Sequence, residues 1–343
     1  MKTIPIGAAT NLYFGSDLLD CLPRICAPLR PVVAVDEAIR ELYGAKIGKL
    51  VNAPVIGLPS GEKAKTRETV AYLVDALSEL DCGRDTVLIG LGGGAATDLV
   101  GFVASIYMRG IPLVLVPTTL LAIVDAAIGG KSAIDTPYGK NIMGTFYPPK
   151  AIVSDLRMLD SLPEKEWLNG LAEIWKMGLI RDGSIFEGGE REVGTILKAI
   201  EGKIGIVEQD PTEQSIRRIL NFGHTIGHGL EKGAEYQIAH GEAVALGSLV
   251  EAHLSAQLGY LAGSEFERIK AIYRRFPLKL PRGYRREKLI EAMGQDKKRA
   301  EGKIRFVLID QIGRTIPFDG AYCRAVSEKE FAPSLDWMEG SFL

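Results

Sequence analysis

The first 160 residues alternate short apolar runs with stretches of helical spacing. The apolar runs are continuous and rich in β-branched residues, which is typical of buried strands, and they lie at 31–35, 86–91 and 112–116. Amphipathic spacing predicts helices at 37–50, 67–79 and 98–107. Strands that alternate with helices predict a parallel α/β sheet.

The segment 125–150 has a different pattern, with glycine-rich turns and alternating polar and apolar positions. This pattern predicts a β-hairpin that carries Lys131 and Lys140, with both lysines on one side. Lysines on an exposed hairpin usually serve only solubility. The pattern by itself therefore leaves a ligand-binding role for these two lysines open.

Helical spacing dominates the second half of the chain. Ser161 followed by Pro163 and Glu164 is a helix-start signal, and we place a domain boundary between residues 160 and 161. The predicted helices are 164–180, a segment near 190–208, 212–231, 242–258, 265–276 and 286–294. The predicted domains are thus an α/β domain, residues 1–160, and a mostly α-helical domain, residues 161–343.

Polar and glycine residues follow the predicted strands of the first domain. A glycine turn, Gly92 to Gly94, joins a strand to a helix, so that backbone N–H groups and a helix N-terminus can bind a diphosphate. Asp98, Thr118 and Thr119 would lie at the same edge of the sheet, where ligands bind. The turn is not the G-x-G-x-x-G fingerprint, and Asp36, at the end of another strand, suits a ribose hydroxyl or a helix cap equally well.

The four histidines of the chain fall within thirty residues of one another and are His224, His228, His240 and His253. Imidazole is the commonest metal ligand, and residues four apart share a helix face, so this cluster predicts a metal site. A plain helix face remains an alternative. The metalloprotease motif is excluded because Thr225, and not Glu, follows the first histidine.

Two further polar groups lie in predicted helices. Glu173 and Lys176 are three residues apart among apolar neighbours, and buried charges need partners or a metal, although a surface ion pair has the same spacing. The predicted helix 212–231 carries a continuous polar face, which is either solvated or part of a site: Glu213, Arg217, Asn221, His224 and His228.

Length and composition restrict the class of protein. A chain of 343 residues favours two domains, and a net charge of −2 gives no surplus to attract nucleic acid. The four cysteines are not clustered as metal ligands, which favours a reducing cytoplasm. The N-terminus lacks signal-peptide features, and the most apolar stretch, 111–128, is interrupted by Pro112, Pro117 and Asp125, so we expect no membrane span.

Taken together, these segments resemble the sugar-phosphate cyclases, and within them the 3-dehydroquinate synthase family. The resemblance runs from the early strands to at least Arg305, with small departures at residues 95–97, Ser215 and Ser248. It rests on the joint order of GGGAATD at 92–98, MRG at 108–110, PTTLL at 117–121, GGK at 129–131, GKN at 139–141, GLAE at 170–173 with Lys176, NFGHTIGH at 221–228, HGEAV at 240–244 and DKK at 296–298.

The resemblance implies a Rossmann-like NAD-binding first domain and a zinc- and substrate-binding helical second domain. It implies three ligands, Glu173, His224 and His240, for zinc or another divalent ion such as cobalt, with open positions for substrate hydroxyls. The implied NAD-binding residues are Asp36, Gly61, Glu62, Lys63, Lys65, Gly94, Ala95, Ala96, Thr97, Asp98, Thr118, Thr119, Lys131 and Lys140.

The substrate implied by the resemblance, 3-deoxy-D-arabino-heptulosonate 7-phosphate, carries a phosphate and a carboxylate. Implied phosphate-side groups are Lys131, Asn141, Lys176, Asn221, His228 and Lys297 or Lys298, and implied carboxylate-side groups are Lys203 and Arg217. Arg109 would reach the site of a neighbouring subunit, which implies a homodimer, and His253 would be structural. Implied catalytic residues are Asp125, Lys140, Glu173, Lys176 and His228.

The implied reaction is that of a lyase of the shikimate pathway. NAD⁺ accepts a hydride from the carbinol at C5, and zinc polarises the oxygen of that carbinol. The resulting ketone acidifies the C6 proton, so that phosphate leaves by β-elimination. NADH returns the hydride, the ring opens, and an intramolecular aldol addition gives 3-dehydroquinate. NAD therefore ends unchanged.

Three other functions share parts of this pattern. A sister cyclase, such as a 2-deoxy-scyllo-inosose or valiolone synthase, would share the fold, zinc and NAD, but Lys203, Arg217 and the DKK run suit a carboxylate-bearing substrate. An oxidoreductase of the glycerol-dehydrogenase kind would release NADH as product. A binding protein would not need ligands, candidate bases and anion-binding groups together.

Overall fold

The computed structural model describes residues 1–235, 237–294 and 303–343. The chain divides into two compact units, Met1–Trp167 and Leu168–Leu343. In the first unit the strands are β1 Lys2–Ile6, β2 Thr10–Gly15, β3 Arg30–Asp36, β4 Val55–Leu58, β5 Thr86–Gly92, β6 Leu113–Pro117, β7 Lys131–Thr136, β8 Gly139–Phe146 and β9 Ala151–Asp155. The α-helices there are α1 Leu22–Cys26, α2 Ala45–Leu50, α3 Arg67–Glu79 and α4 Gly94–Ile106.

Seven of these strands form one sheet in the order β1-β2-β9-β6-β5-β3-β4. All of its neighbouring strands pair in parallel except β1 and β2, which are antiparallel. The central strands are buried on both faces, as their continuous apolar runs require. The predicted parallel α/β architecture is confirmed, and β7 and β8 form the predicted hairpin apart from the main sheet.

Register places the carboxyl ends of the central strands together. Val35 of β3 pairs with Leu91 of β5, and Gly92 pairs with Pro117 of β6. The residues that follow these strands, including Gly94 and Thr118, therefore share one edge of the sheet. This is the edge at which α/β proteins bind ligands.

The second unit is largely helical and contains small antiparallel strand pairs near its end. Its helices are α5 Glu164–Ile180, which begins before the unit does, α6 Val193–Gln209, α7 His224–Gly233, α8 His240–Gln257, α9 Gly263–Tyr273, α10 Arg286–Gly294 and α11 Glu328–Phe342. Its strands are β10 Ile304–Phe306, β11 Ile309–Gln311, β12 Arg314–Thr315 and β13 Arg324–Val326. Within the described segments, no helix is both long enough and apolar enough to cross a membrane.

One predicted helix, 212–231, is wrong. A 3-10 helix at Ile216–Asn221 is followed by Phe222 as its C-cap, and α7 begins as a separate helix at His224. Gly223, between them, has φ +78°, a left-handed conformation that no continuous α-helix contains. The predicted continuous polar face through Glu213, Arg217 and His224 therefore does not exist.

Two predictions of helix extent in the first unit also need correction. The predicted helix 37–50 is a 3-10 turn at Glu37–Ile39, a π-helical turn at Arg40–Gly44 and then α2. Helix α4 begins at Gly94 and not at Asp98, so Asp98 lies inside its first turns. The earlier start places the residues of the glycine turn at the N-terminus of a buried helix.

Candidate active site

Helices α5, α7 and α8 bring Glu173, His224 and His240 together in the second unit. One ligand atom from each of the three lies within 4.8 Å of the others. The Nε2 atoms of His224 and His240 are 3.5 Å and 3.4 Å from Glu173 Oε1. The three residues predicted as metal ligands thus face a common position.

Local backbone geometry directs the His224 ring toward this position. The left-handed Gly223 turns the chain so that His224 is the first residue of α7. His224 Nδ1 lies 3.2 Å from the carbonyl oxygen of Phe222, and because a carbonyl only accepts, Nδ1 carries the proton of the neutral ring. Nε2, the nitrogen nearest Glu173, is then the one with a free lone pair.

Glu173 and Lys176 form a buried ion pair one helical turn apart, both with side chains 2% exposed. Lys176 contacts Glu173 Oε2, whereas Oε1 faces the two histidines. Burial raises the pKa of Glu173, but Lys176, His224 and His240 together hold that pKa well below its usual range. Glu173 is therefore an anion, and the surface ion pair considered from sequence is excluded.

The residues present fit a divalent metal ion. Among the described residues, Lys176 is paired with Glu173 Oε2, whereas the buried Oε1 accepts no hydrogen bond of good geometry and faces the two histidines. Burial and the Lys176 charge lower the pKa of His224 well below its usual range, so this imidazole is neutral, the form that binds metals. One carboxylate and two imidazoles are a donor set typical of catalytic zinc.

His240 differs from His224 in its electrostatic surroundings. Burial disfavours its charged form, but Glu173 and Glu231 raise its pKa to about 10. His240 Nδ1 is 3.3 Å from Glu231 Oε1. A metal ion at Nε2 would have to displace a proton, so metal affinity falls as pH falls.

Sequence patterns missed two buried carboxylates of this site. Glu231, 3% exposed, contacts His240 and also groups with His228 and His240 as a second set of three close potential ligands. Glu251 of α8, fully buried, accepts a hydrogen bond of 2.9 Å from Gly223 N. A lone glutamate on a helix resembles a surface residue in sequence. The only signal for Glu251 is its place in a long apolar run.

The other predicted substrate groups of the second unit differ in burial and in their contacts. Lys203 and Arg217 are buried, and Arg217 Nη1 donates a hydrogen bond of 2.6 Å to the carbonyl oxygen of Pro211. Asn221 donates to Glu213 at 2.8 Å, and His228 is exposed with its ring 5.0 Å from that of His224. Lys297 lies outside the described residues. His253 stacks on Trp337 and contacts Ser334, as suits a structural residue.

The carboxyl edge of the sheet in the first unit collects many of the predicted NAD residues. Asp36 is a cap, because its carboxylate accepts from Ala38 N at 2.9 Å and from Gly61 N at 3.3 Å. A Cβ on Gly92 would lie 2.6 Å from that of Ala96, so only glycine permits this close strand-to-helix turn. Ala95, Ala96 and Thr97 form the first turn of α4.

A cluster of charged and polar side chains links three segments of the first unit. Lys65, 3% exposed, donates to Asp98 at 2.8 Å and contacts Asn141 Oδ1. Glu62 Oε1 is 3.6 Å from Lys65 Nζ and 3.8 Å from Lys140 Nζ. Burial raises the pKa of Asp98 to about 6 despite Lys65. The structure thus brings predicted cofactor residues and the predicted substrate residue Asn141 together.

The remaining predicted residues of the first unit have varied settings. Lys63, Arg109 and Lys131 are exposed, and Arg109 follows Met108 in a strained stretch with φ +64° and +51°. Thr118 is buried and donates its N–H to Gly92 O at 2.9 Å, whereas the Thr119 hydroxyl accepts from Ala122 N. Asp125 lies in a π-helical turn, Ala122–Ala126, after β6.

Solved structures of sugar-phosphate cyclases share this fold. A 2-deoxy-scyllo-inosose synthase complexed with carbaglucose-6-phosphate, NAD⁺ and Co²⁺ matches with a TM-score of 0.87 at 22% identity, covering 97% of this chain and 98% of that one. A 2-epi-5-epi-valiolone synthase from Streptomyces hygroscopicus with NAD⁺ and Zn²⁺ bound matches with a TM-score of 0.85 at 26% identity, covering 99% and 98%. The predicted fold class is confirmed.

Comparison of sequences identifies the family more specifically than comparison of folds. A 3-dehydroquinate synthase from Nitrosomonas europaea is 38% identical over 93% of this chain and 92% of its own, and one from Thermodesulfovibrio yellowstonii is 42% identical over 80% and 82%. The protein-family model described as "3-dehydroquinate synthase N-terminal" matches residues 55–169, and the one described as "3-dehydroquinate synthase C-terminal" matches residues 170–299. These matches confirm the function predicted from sequence over that of a sister cyclase, and the chain belongs to the 3-dehydroquinate synthase family.

Proposed function

We propose that the chain converts 3-deoxy-D-arabino-heptulosonate 7-phosphate to 3-dehydroquinate and phosphate as an NAD- and metal-dependent lyase. The observation that carries the metal dependence is the convergence of Glu173, His224 and His240 within 4.8 Å in a chain of this family. NAD would be held at the carboxyl edge of the first unit's sheet. The cyclases of known structure that bind NAD⁺ with Co²⁺ or Zn²⁺ support the use of NAD and of a divalent metal ion.

When bound, NAD⁺ would accept a hydride from a substrate carbon and later return it, and the divalent ion would polarise the oxygen on that carbon. The chain's own residues prepare these sites. Lys176 forms an ion pair with Glu173 Oε2, which leaves Oε1 directed at the histidines. His224 keeps its proton on Nδ1, which donates a hydrogen bond to the carbonyl oxygen of Phe222, and so presents Nε2 as the ligand atom.

In the first unit, backbone N–H groups at the start of α4 would bind the diphosphate of NAD. Lys65 holds Asp98 and Asn141 in fixed positions, so that this turn and the β7–β8 hairpin are linked before any ligand binds. We assign the substrate phosphate to Lys131, Asn141, Lys176, Asn221, His228 and Lys297 or Lys298, and its carboxylate to Lys203 and Arg217. Asp125 and Lys140 complete the proposed catalytic set, and Arg109 would serve the partner's site in a cytoplasmic homodimer.

Phosphate release from the heptulosonate phosphate, measured on chelator-stripped protein with NAD⁺ and Zn²⁺ added back singly and together, tests this proposal. We expect release only with both, and no lasting NADH absorbance, because the hydride returns to the substrate. Glu173→Gln should abolish metal-dependent release, whereas Glu164→Gln, an exposed carboxylate of the same helix, should not change it. Stoichiometric NADH would instead identify a dehydrogenase, and phosphate release without metal would refute the metal assignment.

A further inference from the structure

Helices α7 and α8 pack closely, and a carboxylate of each helix contacts the segment that contains the other. Added Cβ atoms on Gly247 and Gly227 would lie 1.9 Å and 3.1 Å from carbonyl oxygens of the other helix segment. Glu231 of α7 contacts His240 of α8, and Glu251 of α8 binds the N–H of Gly223, just before α7. Helix α7 thus supplies a buried carboxylate to the histidine of α8, and α8 supplies one to the backbone beside the histidine of α7.

The contact between Glu231 and His240 has a defined chemical consequence. His240 has two ring nitrogens, of which Nδ1 is 3.3 Å from Glu231 Oε1 and Nε2 is 3.4 Å from Glu173 Oε1. A carboxylate that accepts from Nδ1–H fixes the ring rotation and leaves Nε2 for the metal. Glu231 has a side chain only 4% exposed and therefore cannot relax into solvent away from the ring.

We infer that Glu231 is a positioning residue that orients His240 for metal binding. The inference rests on the proposed function, because it requires that His240 bind a divalent ion. Glu231 acts through Nδ1 of His240 and is not itself a ligand. The alternative is that Glu231, His228 and His240, which form the second close group of potential ligands, bind a second ion.

Zn²⁺ affinity of the full-length, metal-stripped protein, measured by competition with a chromophoric chelator, tests the inference without turnover. We expect Glu231→Ala to weaken Zn²⁺ binding by about 10- to 100-fold, and Glu231→Gln, which keeps an acceptor but no charge, to lie between Ala and wild type. Glu235→Gln, an exposed carboxylate just beyond the same helix, should bind like wild type. Thermal melts of the metal-free proteins should show that each variant is folded.

The outcomes separate the two proposals. If wild type binds no Zn²⁺, the proposed metal site is wrong, and the role of Glu231 falls with it. If wild type binds one Zn²⁺ and Glu231→Ala binds it equally well, only the positioning role is overturned. If wild type binds two Zn²⁺ per chain and Glu231→Ala binds one, Glu231 is a ligand, and the positioning role is likewise overturned. A changed Co²⁺ absorption spectrum in Glu231→Gln, with one ion still bound, would support the altered orientation of His240.

Discussion

At the scale of single residues, Glu251 shows how a buried carboxyl group makes stability depend on pH. Burial raises its pKa from the ordinary 4.5 to about 8, although the backbone N–H groups of Gly223, Thr225 and Ile226 favour the anion. The folded chain therefore holds a proton that the unfolded chain has already released. The stability that this group contributes is present below about pH 4.5 and is lost as pH rises through about 8.

We predict that Glu251→Gln, which is neutral at every pH, matches wild type in stability near pH 5 and exceeds it above pH 8. The advantage should grow by about 1.4 kcal/mol per pH unit across this window. Urea unfolding of the metal-free proteins at several pH values would measure it. Glu291→Gln, an exposed carboxylate of α10, is the control. Parallel stability profiles for wild type and Glu251→Gln would contradict the prediction.

The residues that sequence patterns identified and those they missed differ in where their partners lie. Glu173 and Lys176 are neighbours on one helix, so their spacing alone indicates the pair. Glu231 and Glu251 meet their partners only through the packing of α7 on α8. No local pattern encodes such a contact, because it depends on the crossing of two helices.

At the scale of elements, helix ends were predictable where the signal is local. Helices α3 and α5 match the predicted ranges to the residue, and the Thr66 hydroxyl caps α3 by accepting from Thr69 N. The predicted helix 212–231 failed because a glycine within a helical pattern indicates either an interior position or a break. Tertiary contacts decide between them: a Cβ on Gly223 would lie 2.4 Å from Ser248 Oγ, and a Cβ on Gly247 would lie 1.9 Å from the carbonyl oxygen of Gly223.

We predict opposite effects for two glycine-to-alanine changes in helices. Gly247→Ala should destabilise the second unit by about 1–3 kcal/mol and weaken Zn²⁺ binding, because the new methyl would lie 1.9 Å from Gly223 O and force α7 away from α8. Gly205→Ala in α6, where nothing lies within 4 Å, should stabilise by about 0.5–1 kcal/mol because alanine favours helix. Denaturant unfolding measures both, and equal effects would contradict the packing account.

At the scale of the whole molecule, the class of each half followed from its periodicity, but the order of the strands did not. Strand β9, late in the first unit, lies between β2 and β6, and β1, at one end of the sheet order, pairs with β2. Such neighbours are set by contacts between segments far apart in the chain. The sequence pattern of β9 is that of any buried strand and carries no information on its place.

The assignment of the two cofactors to different units predicts separable effects of each ligand on local opening. Hydrogen exchange followed by mass spectrometry should show that Zn²⁺ alone slows exchange in α5, α7 and α8, whereas NAD⁺ alone slows it in α4 and the glycine turn before it. A ligand at a hundred times its Kd stabilises its site by about 2.7 kcal/mol, which slows exchange through local opening about a hundredfold. His240→Ala should abolish the Zn²⁺ effect and keep the NAD⁺ effect. If Zn²⁺ instead protected α4, or if NAD⁺ protection required His240, the division of cofactor binding between Met1–Trp167 and Leu168–Leu343 would be wrong.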